Sequence, residues 1–508
     1  MKNKSYRPII YSLILILGIF LGKFLINETP SPQNSKLDSI LQLVQENYVD
    51  GFDISEHEDE ILIAIMRELD PHSGYIPKTE QSYMEEQMSG SFSGVGIEFN
   101  IIKDSLVVVS PISGGPSEKL GILSGDRIVE VDGEDFASVG LTNTEVIEKL
   151  RGEKGSEVSV KIYRRGEKEL LEYTIERGEI PLYSVDASFM IDEEIGYVKV
   201  NRFSATTNEE FYNATNNLLT SGMKKMVLDL RDNPGGYLGS AIFMCNEFLE
   251  KGELIVYTEG KYRSKEEIFS DDGGSLKDIE LVILINEGSA SASEIVSGCI
   301  QDLDRGILVG NRSFGKGLVQ EEILLNDGSA VRITTQRYYI PSGRSIQKPY
   351  DMSDKEYNTE MYTRNLQNEE QNIPDSLKYI TKKGRVVFGG GGVTPDSIIS
   401  VDVSLNYSVF NRLRSKNWIT EFCLNEQKFL ENLERISDLD EDVLMQKFRL
   451  FVQNKNPDFD LSMGNKELLD LKKFIKANIA KNLWGNDTYF KVLSEKDDYI
   501  QKAIEILN

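Results

Sequence analysis

Within residues 179–402, buried-strand patterns alternate with loops and with helical patterns. The run at 226–230, which is apolar except for Asp229, and the apolar run at 281–285 are each followed by a short loop and then by apolar residues at helical spacing. Strands that are apolar throughout and that alternate with helices pair in parallel, with both faces of the sheet covered. The reactive loops of such folds lie at the carboxyl ends of the strands. The pattern therefore predicts an α/β domain with a mostly parallel sheet.

The chain of 508 residues is too long for one hydrophobic core, so we expect several domains. Its C-terminal part has helical spacing, as in the apolar stripe formed by Leu468, Leu471, Ile475 and Ile479. The sequence predicts a multidomain α/β protein with five regions. Residues 1–30 are a membrane anchor or signal, 31–89 a helical N-terminal region, and 90–178 a β domain with glycine-rich turns. Residues 179–402 are the α/β domain, which includes a polar surface excursion at 350–376, and 403–508 are a C-terminal helical region.

The first residues have the pattern of a targeting segment. Lys2, Lys4 and Arg7 precede an apolar run from Ile9 to Ile26, and no small-x-small cleavage site follows. This pattern favours an uncleaved membrane anchor with its basic end in the cytoplasm. Everything after Pro30 is then expected outside the cytoplasm, which is the periplasm in a Gram-negative cell.

Charge and the scarce reactive residues exclude several classes of function. The formal net charge is -25, which would repel a nucleic acid. The three cysteines (Cys245, Cys299 and Cys423) give neither a disulfide framework nor a zinc pattern, so no metal is expected, and the first two fit core positions. The only histidines are His57 and His72, both near the start, and His72 fits a hydrogen-bonding turn. A Ser-His-Asp triad is therefore absent from the C-terminal two-thirds.

A serine cluster stands at the junction of one predicted strand and helix. The segment Gly-Ser-Ala-Ser-Ala-Ser-Glu at 288–294 precedes a helical pattern that includes Ile295 and Val296. A serine held there would lie beside free amide donors and the positive end of a helix dipole. The cluster fits a simple helix cap equally well. The segment alone leaves both readings open.

A serine nucleophile without histidine needs another base, and a neutral lysine can serve. An ordinary lysine pKa of about 10.4 leaves roughly one molecule in 2,500 deprotonated at pH 7, but burial lowers that pKa. Lys316 lies in Phe-Gly-Lys-Gly-Leu-Val-Gln at 314–320, where Phe314, Leu318 and Val319 can exclude water from it. Lys316 is therefore the candidate base.

The residues from Gly310 to Gly317 also match part of a phosphate-binding loop. Gly317 occupies the position that requires a Ser or Thr to bind magnesium, and the next segment has a strand pattern instead of a helical one. We therefore set phosphate binding aside.

A different glycine pair, Gly235-Gly236, leaves backbone amides uncovered between a strand and a helix, which suits either an oxyanion hole or a plain turn.

Three of these segments occur together and in order: Asp-Leu-Arg-Asp-Asn-Pro-Gly-Gly at 229–236, Ser-Ala-Ser-Ala-Ser-Glu at 289–294, and the lysine segment at 314–320. The combination resembles the carboxy-terminal processing peptidases, also called tail-specific proteases, over about residues 37–401. The glycine-rich β domain resembles the PDZ domain that this family carries ahead of its protease core.

The resemblance implies a serine endopeptidase that needs no cofactor. Ser291 corresponds to the nucleophile, Lys316 to its general base, and Gln320 to the residue that orients the lysine. The amide of Ala292, with that of Gly235 or Gly236, would hold the oxyanion. The expected partners are protein or peptide substrates with free C-termini.

The PDZ resemblance implies how such substrates would be captured. Gly94, Val95 and Gly96 correspond to the carboxylate-binding loop, whose amides would bind a terminal carboxylate. The strand from Ile97 would pair with the incoming tail by β-augmentation. Arg151 resembles an arginine that couples this domain to the catalytic site, although an exposed arginine at a helix end would look the same.

Two other functions of the same fold stay open at this point. A catalytically silent adaptor would bind partners through the PDZ domain, and a lipid-binding relative would carry a larger apolar pocket. Neither needs Ser291, Lys316 and Gln320 together, so their joint presence favours the protease. The sequence leaves the oligomeric state open.

Overall fold

The computed structural model of the protein describes four stretches of the chain: residues 36–367, 374–400, 407–430 and 433–508. The chain divides into one unit that ends at Leu69 and a second that begins at Asp70. The predicted anchor at 1–30 lies outside the described residues. Among the residues described, no helix combines the length and apolarity that a membrane crossing requires.

The described part of the first unit, residues 36–69, is helical, whereas the predicted helical region 31–89 continues into the second unit. The first unit contains α1 (Lys36–Asn47) and α2 (Glu58–Arg67), and neither helix has a buried residue. Helix α2 ends four residues before Pro71, in keeping with the tendency of helices to stop ahead of a proline.

The second unit opens with a short connection and then the β domain. Its elements up to residue 181 are β1 (Gly74–Ile76), α3 (Lys78–Ser89), β2 (Ser91–Gly94), β3 (Ile97–Ile101), β4 (Leu106–Pro111), α4 (Pro116–Lys119), β5 (Arg127–Val131), β6 (Glu134–Asp135), α5 (Asn143–Leu150), β7 (Glu157–Tyr163), β8 (Leu171–Glu176) and β9 (Gly178–Pro181).

The β domain is built on an antiparallel sheet with strand order β3-β4-β5-β7-β8, and β6 pairs with β5. Strand β3 therefore lies at an edge of the sheet. Helix α5 begins at a capping box formed by Thr142 and Glu145, and it packs Val146 and Leu150 into the core of the domain. The sequence also predicts Ile147 to point inward, which is wrong, because that side chain is 40% exposed.

The α/β domain contains, in chain order, β10 (Val185–Met190), β11 (Ile195–Val200), α6 (Thr207–Thr220), β12 (Lys225–Asp229), α7 (Leu238–Phe248), β13 (Leu254–Gly260), β14 (Arg263–Phe269), β15 (Glu280–Ile285), α8 (Ala292–Asp302), β16 (Ile307–Gly310), β17 (Leu318–Leu324), β18 (Ala330–Tyr339), α9 (Asp354–Gln367), β19 (Lys378–Ile380), β20 (Val386–Phe388) and β21 (Ser397–Ile398).

Two large sheets and the small antiparallel pair β19–β20 form this domain, and only one of the large sheets is largely parallel. The central sheet has the order β10-β11-β12-β15-β16-β21, with an antiparallel pair at β10–β11 and parallel pairs elsewhere. The second sheet, β1-β18-β13-β14 with β17 beside β18, is antiparallel throughout. The prediction of a mostly parallel core is therefore not confirmed. Strand–helix alternation describes the central sheet, whereas the hairpins form a separate layer.

The C-terminal region contains α10 (Ser408–Ser415), α11 (Trp418–Leu430), α12 (Glu441–Lys455), α13 (Asn465–Trp484), α14 (Asn486–Ser494) and α15 (Asp498–Leu507). Helices α10 to α13 share a core of their own. Helix α15 instead packs Ile500, Ala503 and Leu507 onto the central sheet, against residues such as Val227 and Leu284. The last helix thus covers one face of the sheet that carries the candidate site.

Two smaller expectations are corrected in these regions. The segment 494–497 fits a capping box in the sequence, but Ser494 ends α14, and Asp497 alone caps α15 by accepting from the amides of Tyr499 and Ile500. The polar stretch at 350–376 is not merely a surface excursion, because Tyr357 in α9 is fully buried.

Candidate active site

The predicted nucleophile lies at a sharp turn between a central strand and a helix. Strand β15 ends at Ile285 and α8 begins at Ala292, so Ser291 is the last residue before the helix. Its backbone has φ 55° and ψ -112°, a conformation that a residue with a Cβ rarely adopts. Strained backbone of this kind concentrates at functional sites, where the surrounding structure imposes it.

The three serines of the cluster have different environments. The hydroxyls of Ser289 and Ser293 are fully buried and donate to the carbonyls of Leu230 (2.8 Å) and Asn233 (2.9 Å). Ser291 is only partly buried, and its hydroxyl donates to no acceptor in the part of the chain that the structure describes. Two of the serines therefore fasten the turn to the neighbouring loop, and Ser291 remains the candidate nucleophile of the three.

A buried carboxylate joins the nucleophile turn to the lysine loop. Glu294 is 0% exposed, and it accepts hydrogen bonds from the amides of Ser291 (2.8 Å), Gly315 (2.7 Å) and Lys316 (2.9 Å), and from the hydroxyl of Ser313 (2.5 Å). Burial raises the pKa of Glu294, and the four donors oppose that rise. Sequence reasoning gave Glu294 no role, because an acidic residue in the first turn of a helix is normally a cap.

Tyr338 on β18 adds a second bridge between the same two segments. Its buried hydroxyl lies 2.6 Å from the carbonyl oxygen of Lys316 and 3.0 Å from that of Ser291. The backbones of the candidate nucleophile and base are therefore held together from both sides, by Glu294 and by Tyr338.

The predicted orienting residue contacts the lysine. The Lys316 ammonium donates to Oε1 of Gln320 (2.8 Å), and Nε2 of Gln320 donates to the carbonyl of His72 (2.5 Å). Among the described residues, that ammonium makes no hydrogen bond to the Ser291 hydroxyl. The structure thus brings Lys316 and Gln320 into direct contact, and it connects Lys316 to Ser291 through the backbone.

The lysine is in the environment that a neutral base requires. Burial and, to a smaller extent, the positive charge of Arg332 lower the pKa of Lys316, while the charges of Glu294 and Asp70 oppose them; the net result is a fall from 10.5 to about 8. A lysine with this pKa has a substantial neutral fraction near neutral pH. Burial thus shifts the pKa of Lys316 in the direction that a base requires, and the part played by Phe314, Leu318 and Val319 stays a prediction.

His72 is a turn residue, as the sequence predicts, and it supports the site with its backbone. Its amide donates to Asp70, and its Nε2 lies 2.7 Å from the hydroxyl of Tyr357. Burial and the nearby charge of Lys316 lower the pKa of His72 to about 4, so its imidazole is neutral at pH 7. The contact of its carbonyl with Gln320 depends on the tertiary fold, and no local pattern indicates it.

The glycine pair lies against the nucleophile turn, with one amide already engaged. A Cβ on Gly235 would lie 2.8 Å from the Cβ of Ser291 and 2.9 Å from the amide nitrogen of Ala292, so only glycine allows this approach. The Gly235 amide, however, donates to Oδ1 of Asn233 (2.9 Å), which corrects its proposed part in an oxyanion hole. The amides of Ala292 and Gly236 meet no acceptor within the described stretches.

The predicted carboxylate-binding loop lies between β2 and β3. Gly94 ends β2, Ile97 begins β3, and the carbonyl of the buried Val95 accepts from the hydroxyl of Ser117 (2.7 Å). Gly96 has φ +77°, and a Cβ there would lie 2.8 Å from the side chain of Ile180. The loop is therefore tightly fixed at the start of the edge strand.

Arg151 is not a solvated residue at a helix end. Its guanidinium donates to Glu86 of α3 and lies 4.4 Å from the ring centroid of Phe92, while its backbone forms an antiparallel bridge with Gly94. It thus connects the loop at residues 94–97 to the segment that precedes the β domain.

Comparisons with known proteins identify two domains in the chain. A model of peptidase family S41 matches residues 194–353, and a PDZ domain model matches residues 93–175. The carboxy-terminal-processing protease of Bartonella bacilliformis is 35% identical over 350 residues, which cover 66% of this chain and 80% of that protein. The chain belongs to the carboxy-terminal-processing proteases of peptidase family S41. It is a serine-type peptidase with a PDZ domain.

Two further relatives show the same likeness. A probable CtpA-like serine protease of Staphylococcus aureus is 33% identical over 323 residues, covering 63% of this chain and 64% of that protein. The solved photosystem II D1 C-terminal processing protease is 25% identical, with a TM-score of 0.38, and the match covers 73% of this chain and 88% of that one. No group of residues suited to a metal ion occurs in the described part of the peptidase.

Removing the charge of Arg332 tests how that charge affects the pKa of Lys316. A candidate base acts in its neutral form, so with Lys316 in that role kcat/KM should rise with pH through an apparent pKa near 8. In Arg332→Gln the pKa of Lys316 should increase, so the rise should move to higher pH. The pH profile of kcat/KM measures this shift. The exposed Arg263→Gln, which loses an ion pair to Glu321 on the same sheet, is the control and should leave the profile unchanged.

Glu294→Gln tests the carboxylate bridge. A glutamine side chain has one acceptor oxygen and one NH2 group, so at least one amide that now donates to Glu294 would face another donor. We expect the free energy of unfolding to fall by about 3 kcal/mol, measured by chemical denaturation of the full chain. We also expect activity to fall in the fraction that stays folded. Wild-type stability and activity in this variant would show that the bridge does not hold the two segments.

Proposed function

We propose that the peptidase works by a Ser-Lys mechanism, with Ser291 as nucleophile and Lys316 as general base. The observation that carries the proposal is a partly buried lysine with a pKa of about 8, in a loop fastened through Glu294 to the strained turn of Ser291. Gln320 holds the lysine side chain from the far side and limits its rotation. A cofactor has no part in this chemistry.

In the first half of the reaction, the neutral Lys316 amine takes the proton of the Ser291 hydroxyl as Oγ attacks the carbonyl carbon of the substrate. This step requires the lysine to turn from Gln320 toward Ser291 once substrate is bound. The amides of Ala292 and Gly236, which meet no acceptor, are the donors that suit the developing oxyanion. The Lys316 ammonium then returns its proton to the leaving amine.

In the second half, a water molecule gives a proton to Lys316 and attacks the acyl carbon. When the tetrahedral intermediate collapses, Ser291 recovers its proton from Lys316 and the product leaves as a carboxylic acid, which then loses its remaining proton to solvent. The first half breaks the peptide bond and the second half breaks the ester. The lysine is neutral at the start of each half and again at the end of the cycle.

We further propose that the PDZ domain selects substrates by their free C-terminal tails. Strand β3 lies at the edge of its sheet, where an incoming strand can be added to the ladder. The loop at residues 94–97, with left-handed backbone at Gly96, lies at the start of that strand, where backbone amides can meet a terminal carboxylate. Arg151 connects this loop to α3.

The predicted localisation completes the proposal. The basic residues and apolar run before Pro30 have the pattern of an anchor, which would place the peptidase on the outer side of the cytoplasmic membrane. Its substrates would then be exported proteins.

Cleavage of an unstructured protein such as casein tests the mechanism directly. The full chain should cut it, and Ser291→Ala and Lys316→Ala should each lose at least about a thousandfold in kcat, because each removes a group that takes part in bond making. A thiol reagent and a chelator should have no effect. Cleavage by Ser291→Ala at the wild-type rate would overturn the assignment of the nucleophile. Three equally inert proteins would favour the adaptor.

Tail selection is tested with one peptide in two forms, with a free or an amidated C-terminus. Loss of charge-assisted hydrogen bonds should slow cleavage of the amidated form by about tenfold or more. Gly96→Ala should abolish this difference, because its Cβ would collide with Ile180. The matched control is Gly121→Ala, which has the same φ of +77° but no atom within 4 Å of the added Cβ. Equal discrimination by both variants would exclude the loop from tail binding.

A further inference from the structure

The first turn of α15 contacts two loops of the proposed active site at once. One loop, residues 231–236, follows β12 and carries the glycine pair. The other, residues 311–317, follows β16 and carries Lys316. In the central sheet, β12 and β16 lie on either side of β15, the strand that leads to Ser291. The helix therefore spans the nucleophile's strand and touches the loops on both sides of it.

The contact with the glycine loop goes through Arg231. Its guanidinium donates to both carboxylate oxygens of Asp497, at 3.0 and 3.3 Å, and lies 4.8 Å from the ring centroid of Tyr499. The same guanidinium binds Asp229, which is fully buried at the end of β12. Arg231, the first residue of the loop, is thus held between the end of a central strand and the start of α15.

The contact with the lysine loop goes through Asn311. The side chain of Asn311 lies 2.7 Å from the hydroxyl of Tyr499. The ring of Tyr499 also packs on the preceding Gly310, where a Cβ would lie 3.1 Å from its Cε1. The amide of Asn311 donates to Ile285, the last residue of β15 (3.0 Å). Tyr499 therefore fixes the start of the lysine loop beside the end of the nucleophile's strand.

We infer that Asp497 and Tyr499 are positioning residues for catalysis, and that they set the spacing between the oxyanion amides and the Lys316 loop. The inference rests on the proposed Ser-Lys mechanism. A serine-type transfer needs its donors and its base placed to within a fraction of an ångström, so a small displacement of either loop slows chemistry more than it weakens binding.

Attachment of the helix is separable from this role. Helix α15 is held on the sheet by the apolar side chains of Ile500, Ala503 and Leu507. Substitutions at Asp497 and Tyr499 leave these three side chains unchanged. Tyr499→Phe removes one hydroxyl and keeps the ring. Asp497→Asn removes the charge that faces Arg231 and keeps a good helix cap. Both variants should therefore fold, and the exposed Gln501→Ala on the same helix is the matched control.

The experiment compares the three variants with the unmutated full chain on a fluorogenic peptide with a free C-terminus. We expect kcat of Tyr499→Phe and Asp497→Asn to fall about tenfold, with KM unchanged within twofold. Modification of Ser291 by a small fluorophosphonate, which needs no bound tail, should slow in parallel. The melting temperature should stay within about 2 °C of the control. Gln501→Ala should behave as wild type.

Active-site titration separates positioning from folding. A wild-type kcat per titrated site in both variants would overturn the inference, since the lost activity would then reflect unfolded protein only. A total kcat within twofold of Gln501→Ala would overturn it as well. Failure of the proposed mechanism has a different signature, because Ser291→Ala would then cleave the peptide as well as the unmutated chain.

Discussion

The carboxylate of Glu294 is the interaction on which the rest of the active site depends. An ionised carboxylate removed from water loses several kcal/mol of hydration, and only well-placed donors can offset that loss. Its donors come from the nucleophile turn and from the lysine loop, so neither segment satisfies the charge without the other. The two halves of the site are therefore expected to form and to melt together. Glu294 lies in the first turn of a helix, where an acidic residue usually serves only as a cap, but here it joins two loops.

The negative charge of Glu294 helps to organise the site, but it also opposes the proposed action of Lys316 as a base. A negative group near Lys316 favours the protonated amine, which is inactive as a base. Burial and the charge of Arg332 act in the other direction, and their combined effect is larger, because the pKa of Lys316 falls to about 8 instead of rising. The site thus tolerates a structural carboxylate because burial of the proposed base and the charge of Arg332 outweigh its effect on the pKa of Lys316. The pKa of Lys316 depends on burial and on several neighbouring charges. A change in one of those charges can therefore shift this pKa without moving the lysine.

The parts that the sequence could predict are those with a local signature. Ser291 and Lys316 lie in small-residue segments whose spacing reflects a strand, a turn and a loop, and the β7–β8 hairpin follows from alternation alone. Glu294 was missed because its position also fits a helix cap, although a charge within an otherwise apolar helix start was a usable signal. The contact of Tyr499 with Asn311 joins residues 188 positions apart, and no periodicity encodes it. The sequence does not predict the antiparallel second sheet, because the pattern of a hairpin does not indicate which other strands the hairpin pairs with.

The left-handed backbone at Ser291 has a consequence for how such a chain can change over time. Holding a side-chain-bearing residue there costs on the order of 1–3 kcal/mol, a cost that glycine avoids and alanine does not. A glycine at this position would give a more stable protein with no nucleophile. Selection for stability alone would therefore remove the serine, and only selection for the reaction can retain it. A descendant that gave up proteolysis for binding would be expected to lose this residue early, and to fold better for it.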